Sequence, residues 1–388
     1  MRVRLATYSA MPRGGAVHAR CLAEALAARG HDVELWVLTI EGSGLAVGPG
    51  VATHQVPLRP VAGEALADRV DRAAATLADA LRGAPPADVN HAQDLLSARA
   101  LLALRSDGAV RHVVRTVHHV EAFEDRFLEE CQRASIQDVD RCIAVSAFWA
   151  DRLQDEFGVQ ADVVPNGVEA ARFGACTLGR EAAAARMGWP GRTVVLAVGG
   201  VQQRKGSRVL LEAFARARGR LPGHPLLVVA GGDGFFADPA AVRAWEDDAV
   251  RLGLVVHRGA GAPSDADVAR IGVVDDDDMP VLYRAADVRA FPSTREGFGL
   301  VVVEAMAAGL PVVTSDIPVL AEFLRDGDDC LMTPVGDSGP LAQALVRLIN
   351  DDDLRERLTT SARETVLRHT WDEAARRAED VYADVIDA

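Results

Sequence analysis

Short apolar runs rich in β-branched residues alternate along the chain with longer segments of helical periodicity. The first such run is Val3–Tyr8, and a helical segment that ends at Gly30 separates it from a second run at His31–Thr39. In the helical segment, the apolar positions Val17, Cys21 and Leu22 recur on one face. This alternation is typical of a parallel sheet covered by helices on both faces, so the sequence predicts an α/β protein.

The pattern weakens around Gly174–Trp189 and then starts again with a strand at Thr193–Gly199 and a helix at Ser207–Arg218. A chain of 388 residues is also too long for one ordinary core. We therefore expect two doubly wound Rossmann-like domains, residues 1–176 and 177–370, whose parallel sheets face a deep interdomain cleft. The amphipathic segment 371–388 is expected to form a helix that packs back on the N-terminal domain.

The remaining elements follow from the same periodicities. Buried strands are predicted at Asp88–His91, Arg111–Val117, Cys142–Val145, Leu226–Ala230, Leu254–His257, Val288–Phe291, Pro311–Thr314 and Cys330–Met332. Helices are predicted at Glu64–Leu81, Asp238–Leu252 and Trp371–Ile386.

Charge and cysteine usage narrow the class of protein. A formal net charge of −14 argues against a nucleic-acid binder, and no apolar run approaches the roughly 20 residues that span a bilayer. The N-terminal residues fit a buried strand better than a signal peptide. Five scattered cysteines fit reduced thiols rather than disulfides or a zinc site. We expect a cytoplasmic protein without an integral membrane segment. Peripheral contact with the inner membrane surface and the oligomeric state stay open.

Lys205 is the only lysine in the chain and directly follows Arg204. Codon bias would explain the abundance of arginine, and chance would leave one lysine anywhere. This one lies in a loop that follows Gly199-Gly200 at the carboxyl end of a predicted strand, where open α/β sheets bind ligands. A point charge beside a planar guanidinium suits a diphosphate, so we favour a phosphate-binding interpretation.

Glu296 and Glu304 are separated by seven residues, with Gly297 and Gly299 just after the first glutamate and a helical run through the second. The glycines allow close backbone approach to a ligand, and the following helix N-terminus would face an anion. Eight residues of helix rise about 12 Å, more than the separation of about 5–9.5 Å between glycosidase carboxyls. The pair therefore fits two ends of one extended ligand better than the two sides of a scissile bond.

Two further glycine pairs follow predicted strands. Gly14-Gly15 allows backbone amides to contact phosphate, although a plain tight turn explains it equally well. It does not match G-x-G-x-x-G, which removes the main support for a dinucleotide-dependent dehydrogenase. Gly231-Gly232-Asp233-Gly234 is interpreted as a loop facing the cleft.

His118-His119 follows the strand that ends at Val117, where an imidazole can exchange protons with a sugar hydroxyl. The alternative is a strand-end histidine with an ordinary hydrogen bond. His18 lies on the helix after Gly14-Gly15, near the expected cleft. The acidic run Asp275–Asp278 precedes Met279-Pro280, and we interpret it as a helix cap rather than a metal site.

These stretches closely resemble the retaining GT-B glycosyltransferases that carry the E-x7-E motif, the glycosyl transferases of group 1. The likeness covers nearly the whole chain. In the first half it rests on GGAVHARCLAEALAARGHDVELW, HAQD, TVHH and VPNGVE. In the second half it rests on GGVQQRKG, AGGDG, LYRAADVRAFPSTREGFGLVVVEAMAAGLPVV and TWDEAARR.

The resemblance implies an N-terminal acceptor-binding domain and a C-terminal nucleotide-sugar-binding domain. Glu304 would hold the donor ribose, Arg204 and Lys205 the diphosphate, and Ile271 would lie beside the base. The implied donor-binding residues are Gly15, Gly200, Arg204, Lys205, Ile271, Gly297, Phe298, Gly299, Leu300 and Glu304. The implied catalytic residues are His118, Glu296, Arg204 and Lys205, and those on the acceptor side are His18, His119 and Asp94.

The implied reaction moves a hexose from a UDP- or GDP-linked donor to a hydroxyl acceptor that the sequence does not identify, with retention of configuration. Neither a metal nor another cofactor is expected, because the positive side chains and helix N-termini stabilise the leaving diphosphate. Two alternatives stay open: a sugar-nucleotide epimerase of the same fold, and a catalytically inactive subunit that binds nucleotide sugars.

Overall fold

The computed structural model describes residues 1–11, 14–40, 44–232 and 239–388. Its first elements are the strands β1 (Arg2–Thr7), β2 (Asp32–Thr39), β3 (Val51–Pro57), β4 (Val89–Ala92), β5 (Val113–Val117), β6 (Arg141–Ala144) and β7 (Ala161–Val163). The helices among them are α1 (Gly14–Ala28), α2 (Leu66–Leu81), α3 (Leu95–Ser106), α4 (Arg126–Gln137) and α5 (Ala147–Phe157).

The second half of the chain repeats the alternation. Its strands are β8 (Arg192–Val198), β9 (His224–Ala230), β10 (Val256–Arg258), β11 (Val268–Gly272), β12 (Val288–Phe291), β13 (Val312–Ser315) and β14 (Leu331–Thr333). Its helices are α6 (Ala170–Gly174), α7 (Arg180–Arg186), α8 (Ser207–Ala217), α9 (Pro239–Arg251), α10 (Met279–Ala285), α11 (Leu300–Ala307), α12 (Pro318–Ala321), α13 (Ser338–Asn350) and α14 (Asp352–Leu367). The last helix is α15 (Trp371–Asp387).

The strands form two parallel seven-stranded sheets, ordered β3-β2-β1-β4-β5-β6-β7 and β10-β11-β9-β8-β12-β13-β14. In the second sheet the strand order reverses between β8 and β12, which pair in parallel. Ligands of doubly wound folds bind outside the carboxyl ends of the strands at such a point. The loops that follow β8 and β12 carry Arg204, Lys205 and Glu296, so the topology places the candidate residues at this position.

The chain divides into two compact units. Unit 1 contains Met1–Gly167 and His369–Ala388, and unit 2 contains Val168–Arg368. The predicted join at residue 176 lies inside unit 2 instead, because α6 packs there: the ring of Phe173 lies 5.6 Å from that of Tyr283. The last residues cluster with unit 1, because α15 buries Trp371, Ala375, Ala378 and Tyr382.

The predicted α/β class and most strands are confirmed, but three strands were missed. The strand β3 alternates exposed and half-buried residues at the edge of its sheet, and β7 has only three residues. The strand β11 pairs with β9 and is buried only in its first two residues. A short or half-exposed strand gives a weaker apolar signal than a long buried one.

Two smaller expectations are also tested. All five cysteines are free thiols. The interpretation of Asp275–Asp278 as a helix N-terminus is confirmed in position, because Asp275 is the N-cap of a 3-10 turn and Asp278 that of α10, but neither side chain makes a capping hydrogen bond. Asp278 instead lies 2.6 Å from Arg186, and Asp276 lies 2.9 Å from Arg172. No helix in the described ranges is long and apolar enough to cross a bilayer.

Candidate functional site

Two adjacent glycines shape the loop that follows β8. Gly199 and Gly200 have φ values of +125° and +72°, and both backbone amides donate to the carbonyl of Ala230, at 2.8 and 2.9 Å. A Cβ atom on Gly200 would lie 2.7 Å from the carbonyl oxygen of Gly232. Only glycine combines this backbone conformation with so close an approach. The chain then forms a short 3-10 turn that presents Arg204 and Lys205.

The side chains of Arg204 and Lys205 converge on Glu296. The Nζ atom of Lys205 lies 2.7 Å from Oε1 of Glu296, and Nη1 of Arg204 lies 3.4 Å from the same oxygen. Lys205 and Glu296 are nearly buried, with side-chain exposures of 14% and 9%, whereas Arg204 is 39% exposed. The group therefore contains one compensated ion pair and one outward-reaching guanidinium.

Burial and ion pairing oppose each other in this group. Burial alone would raise the pKa of Glu296, but the charges of Lys205 and Arg204 outweigh it and hold the pKa below its ordinary value. Burial lowers the pKa of Lys205, and Glu296 only partly offsets this effect. We infer an ionised Glu296 beside Lys205, with Arg204 adding positive charge at the surface.

Backbone contacts lock the loop after β12 onto the loop after β8. The amide of Thr294 donates to the carbonyl of Arg204 at 2.8 Å. Gly206, with φ of +65°, approaches so closely that a Cβ atom there would lie 2.0 Å from the carbonyl oxygen of Pro292. Gly299, with φ of +105°, is the N-cap of α11. In the first turn of that helix the amide of Val302 donates to the carbonyl of Gly299 at 2.8 Å, and the N-terminal end of a helix favours an anion.

Phe298 anchors the segment between the glutamate and the helix. Its side chain is 4% exposed, and its ring stacks on that of Phe323, with centroids 4.9 Å apart. This packing fixes the backbone of Gly297–Gly299, the segment that is predicted to contact the donor.

Glu304 lies on α11 with Tyr283 as its partner. The phenol of Tyr283 donates to Oε2 of Glu304 at 2.7 Å. Burial raises the pKa of Glu304, and the hydrogen bond from Tyr283 opposes this effect. Burial likewise raises the pKa of Tyr283 well above its usual value, so the phenol keeps its proton. Tyr283 was not among the predicted residues.

Ile271 belongs to β11, beside a register shift that leaves Gly272 with φ of +72°. The carbonyl of Gly272 accepts a 2.6 Å hydrogen bond from the amide of Gly231. This bond ties the end of β11 to the end of β9, on the same side of the sheet as the loop of Arg204. Asp233 and Gly234, which complete the other predicted loop, lie outside the described residues.

In unit 1 the structure brings His18, His118 and Gly15 together. A Cβ atom on Gly15 would lie 3.9 Å from Nε2 of His118. The ring of His18 meets that of His118 edge-on, with centroids 4.7 Å apart, and Nδ1 of His18 lies 2.8 Å from Oε1 of Gln93. Gln93 was not among the predicted residues, although it directly precedes Asp94 in the HAQD stretch.

Both imidazoles are neutral at ordinary pH. Burial lowers the pKa of His18 to about 4 and that of His118 well below 6.5. Nε2 of His118 has no hydrogen-bond partner in the described part of the chain, nor has Nε2 of Gln93. Buried polar atoms of this kind are uncommon and often indicate a ligand site.

The two other predicted acceptor-side residues, Asp94 and His119, have hydrogen-bond partners within unit 1. Asp94 caps α3 and accepts from the amides of Ser97 and Tyr8, at 2.7 and 2.9 Å. Burial raises the pKa of Asp94, and the hydrogen bonds from these two amides oppose that rise. Nε2 of His119 lies 2.8 Å from Oε1 of Glu121. Asp94 thus caps a helix and His119 has a carboxylate partner, while the acceptor-side role of both residues stays a prediction.

Two parallel seven-stranded sheets with this strand order define the GT-B class of protein. The family profile described as Glycosyl transferases group 1 matches residues 192–351, and the one described as Glycosyltransferase Family 4 matches residues 12–172. A D-inositol 3-phosphate glycosyltransferase of Xylanimonas cellulosilytica is 32% identical over 390 residues, covering 93% of this chain and 89% of that protein. The chain therefore belongs to the glycosyltransferases of group 1.

One further relative and one solved structure extend the comparison. A phosphatidyl-myo-inositol mannosyltransferase of Mycobacterium leprae is 34% identical over 249 residues, which cover 63% of this chain and 59% of that protein. Among solved structures, sucrose-phosphate synthase from Thermosynechococcus elongatus aligns with a TM-score of 0.81 at 23% identity, covering 100% of this chain and 99% of that one. The last similarity supports the fold alone.

Proposed function

We propose that this glycosyltransferase moves a hexose from a UDP- or GDP-linked donor to a hydroxyl acceptor, with retention of configuration and without a metal ion. The observation that carries the proposal is the convergence of Arg204, Lys205 and Glu296 where the strand order reverses. Glu304 lies on the helix that follows. This arrangement offers positive charge to a diphosphate and a carboxylate to the hydroxyls of a ribose.

The cationic pair accounts for departure of the leaving group. Negative charge accumulates on the diphosphate as the bond to the sugar breaks, and prepositioned cations stabilise that charge. Lys205 is paired with Glu296 in the structure, so a bound diphosphate would share Lys205 with a carboxylate that is already ionised. Arg204 and the first-turn amides of α11 would supply further positive charge. We infer that these groups take the part that a divalent ion plays in other transferases.

The state of the two glutamates supports retention without a covalent intermediate. A nucleophilic carboxylate must be free to attack the sugar carbon. Glu296 is held by Lys205 at 2.7 Å, and Glu304 by Tyr283 at 2.7 Å. Both carboxylates are therefore better arranged to bind hydroxyls than to attack. Retention then requires the acceptor hydroxyl to arrive on the face from which the diphosphate leaves.

Unit 1 would contribute to the recognition of sugar hydroxyls. Among the described residues, Nε2 of the neutral His118 imidazole has no hydrogen-bond partner, and a neutral imidazole can donate to or accept from a hydroxyl without adding charge. His18 and Gln93 hold one another beside it. Two of the relatives carry inositol in their names, so inositol phosphate is the first acceptor to try.

The experiment has two stages. A thermal-shift panel of sugar nucleotides identifies the donor, because a ligand that binds the folded state raises the melting temperature. Turnover of that donor is then measured with an acceptor panel in the presence and absence of EDTA, and the anomeric configuration of the product is read by NMR. Release of nucleoside diphosphate with a retained, EDTA-insensitive product supports the proposal.

Other results would contradict it. Inversion of configuration, or loss of turnover in EDTA, would overturn the corresponding part. Deuterium incorporation from solvent into the sugar without transfer would favour an epimerase. Tight nucleotide binding with no turnover across the acceptor panel would favour a binding subunit.

A further inference from the structure

Arg289 on β12 is buried, with 1% of its surface exposed, and it was not among the predicted site residues. Its Nη1 donates to the carbonyl of Leu196 at 2.9 Å and also to that of Ala290. Its Nη2 donates to the carbonyl of Val198 at 3.2 Å. The guanidinium therefore bridges the last residues of β8 to β12, directly below the two loops of the candidate site.

The ring of Phe291 connects Arg289 to Lys205. The guanidinium carbon of Arg289 lies 5.3 Å from the ring centroid, and Nζ of Lys205 lies 5.1 Å from the same centroid. The two positive charges are therefore within about 10 Å of one another. Both distances lie within the range of cation–π attraction, so Phe291 contacts two cations at once.

Arg289 keeps its charge despite its burial. Burial lowers its pKa to about 10, and the acidic groups of Tyr283, Glu304 and Glu296 oppose that shift. The side chain is thus protonated at neutral pH. A buried charge is costly unless its surroundings compensate it. Here three strand carbonyls do so in part, while Nε has no hydrogen-bond partner among the described residues.

Arg192 provides a comparison within the same unit. It is 7% exposed and binds the carbonyls of His224 and Pro225, at 2.7 and 3.2 Å, and that of Ala266 at 2.5 Å. It is the first residue of β8, about 20 Å from the carboxyl end of that strand. Bridging of strands by a buried arginine therefore does not require a nearby ligand site. Arg289 is distinguished by sharing the ring of Phe291 with Lys205 and by its electrostatic interaction with both glutamates.

We propose that Arg289 is a positioning residue of the donor site. It holds the carboxyl ends of β8 and β12 together, sets the place of Lys205 through Phe291, and adds positive potential below the place where a nucleoside diphosphate binds. The inference rests on the proposed function, which supplies the class of ligand. Its own content is that a third cation, buried under the site, strengthens binding of the diphosphate without touching it.

The electrostatic part has a defined size. At a separation of about 10 Å and an effective dielectric of about 20, one unit charge changes affinity for one negative charge roughly ten-fold. A nucleoside diphosphate carries more charge than a monophosphate. Removing the charge of Arg289 is therefore expected to weaken the diphosphate more than the monophosphate, whereas a general loss of structure would weaken both alike.

The experiment compares Arg289→Met, Arg289→Lys and the matched control Arg192→Met by calorimetric titration with UDP, GDP, UMP and GMP. We expect Arg289→Met to lose roughly ten-fold or more in affinity for the preferred diphosphate and less for its monophosphate. Arg289→Lys, which keeps the charge, recovers most of that loss. Arg192→Met lowers the melting temperature but binds both nucleotides within about two-fold of the parent protein, because its strand contacts lie far from the site.

Equal losses for the diphosphate and monophosphate would overturn the inference, as would affinity within two-fold of the parent protein. So would a matching loss in Arg192→Met. Should Arg289→Met fail to fold, Arg289→Gln, which keeps hydrogen-bond donors but not the charge, decides: a roughly ten-fold loss for the diphosphate that exceeds the loss for the monophosphate supports the inference, and affinity within two-fold of the parent protein refutes it. A parent protein that binds neither UDP nor GDP instead defeats the proposed function, and this inference with it.

Discussion

The Nζ atom of Lys205 lies 2.7 Å from Oε1 of Glu296, across 91 residues of sequence, and each of these nearly buried groups is the other's counter-ion. Breaking a buried pair from one side leaves an uncompensated charge. Loss of either residue therefore affects both folding and the site, and the two effects have to be separated experimentally.

Lys205→Met is expected to reduce turnover by at least about 100-fold, because it removes a cation from the leaving group. It should also lower the free energy of unfolding by about 3 kcal/mol, since Glu296 stays buried without that partner. The double variant Lys205→Met/Glu296→Gln should regain much of the stability but none of the turnover. Stability comes from urea unfolding and turnover from release of nucleoside diphosphate. The exposed Arg216→Met is the control for loss of one positive charge, and a Lys205→Met enzyme within ten-fold of the parent would refute the assignment.

Tyr283→Phe tests the partner of Glu304. Losing this hydrogen bond should raise KM for the donor roughly five- to ten-fold, with a smaller change in kcat, if Glu304 binds the ribose in its ionised form. KM should rise as pH falls through the raised pKa of Glu304. In the variant that rise should begin at a higher pH, because the bond from Tyr283 lowers the pKa of the carboxyl. Tyr382→Phe in unit 1 is the control. If KM of Tyr283→Phe begins to rise at the same pH as in the parent protein, the role of Tyr283 is contradicted.

Gly206→Ala tests the contact between the two loops. Its φ is +65°, and a Cβ atom would lie 2.0 Å from the carbonyl oxygen of Pro292, so the loop of Arg204 and Lys205 has to move. We expect a loss of about 3 kcal/mol in the free energy of unfolding and of most donor binding. Gly219→Ala, where no atom lies within 4 Å of the added carbon, should be nearly neutral. Equal melting temperatures for the two variants would show that the loop adapts without cost.

The sequence could predict the parts of this protein that repeat a pattern. Predominantly apolar runs identified β1, β8 and β12, and the loop that begins at Gly199-Gly200 was placed at the carboxyl end of a strand, where it follows β8. The lone Lys205 and the spacing of Glu296 and Glu304 pointed to residues that the fold brings to one edge of the sheet.

The sequence pattern could not predict partners that only folding brings together. Tyr283 looks like an ordinary buried aromatic in its helix, and Gln93 like a polar residue at a strand end. Arg289 interrupts an apolar strand, a departure from pattern that identifies a candidate but not its role. The hydrogen bonds of Asp94 were likewise hidden from the sequence: its carboxylate accepts a backbone amide and caps a helix, and its acceptor-side role stays a prediction.

Acid stability offers a test of the buried histidines in unit 1. Nδ1 of His91 lies 2.7 Å from the hydroxyl of Tyr382, and Nε2 lies 2.8 Å from Oγ1 of Thr116. Burial, with the nearby charge of His18, lowers the pKa of His91 to about 3 from an ordinary value of 6.5.

The unfolded chain thus binds a proton below pH 6.5 that His91 in the folded chain does not bind until near pH 3. Stability from this group is complete above pH 6.5 and falls toward pH 3, by about 2 kcal/mol at pH 5. In urea unfolding between pH 5 and 6.5, His91→Gln should therefore show a slope smaller by about 1 kcal/mol per pH unit, whatever its stability at pH 7. An unchanged slope in His91→Gln would mean that His91 takes up its proton in the folded protein and that the contact with Tyr382 does not depend on a neutral ring.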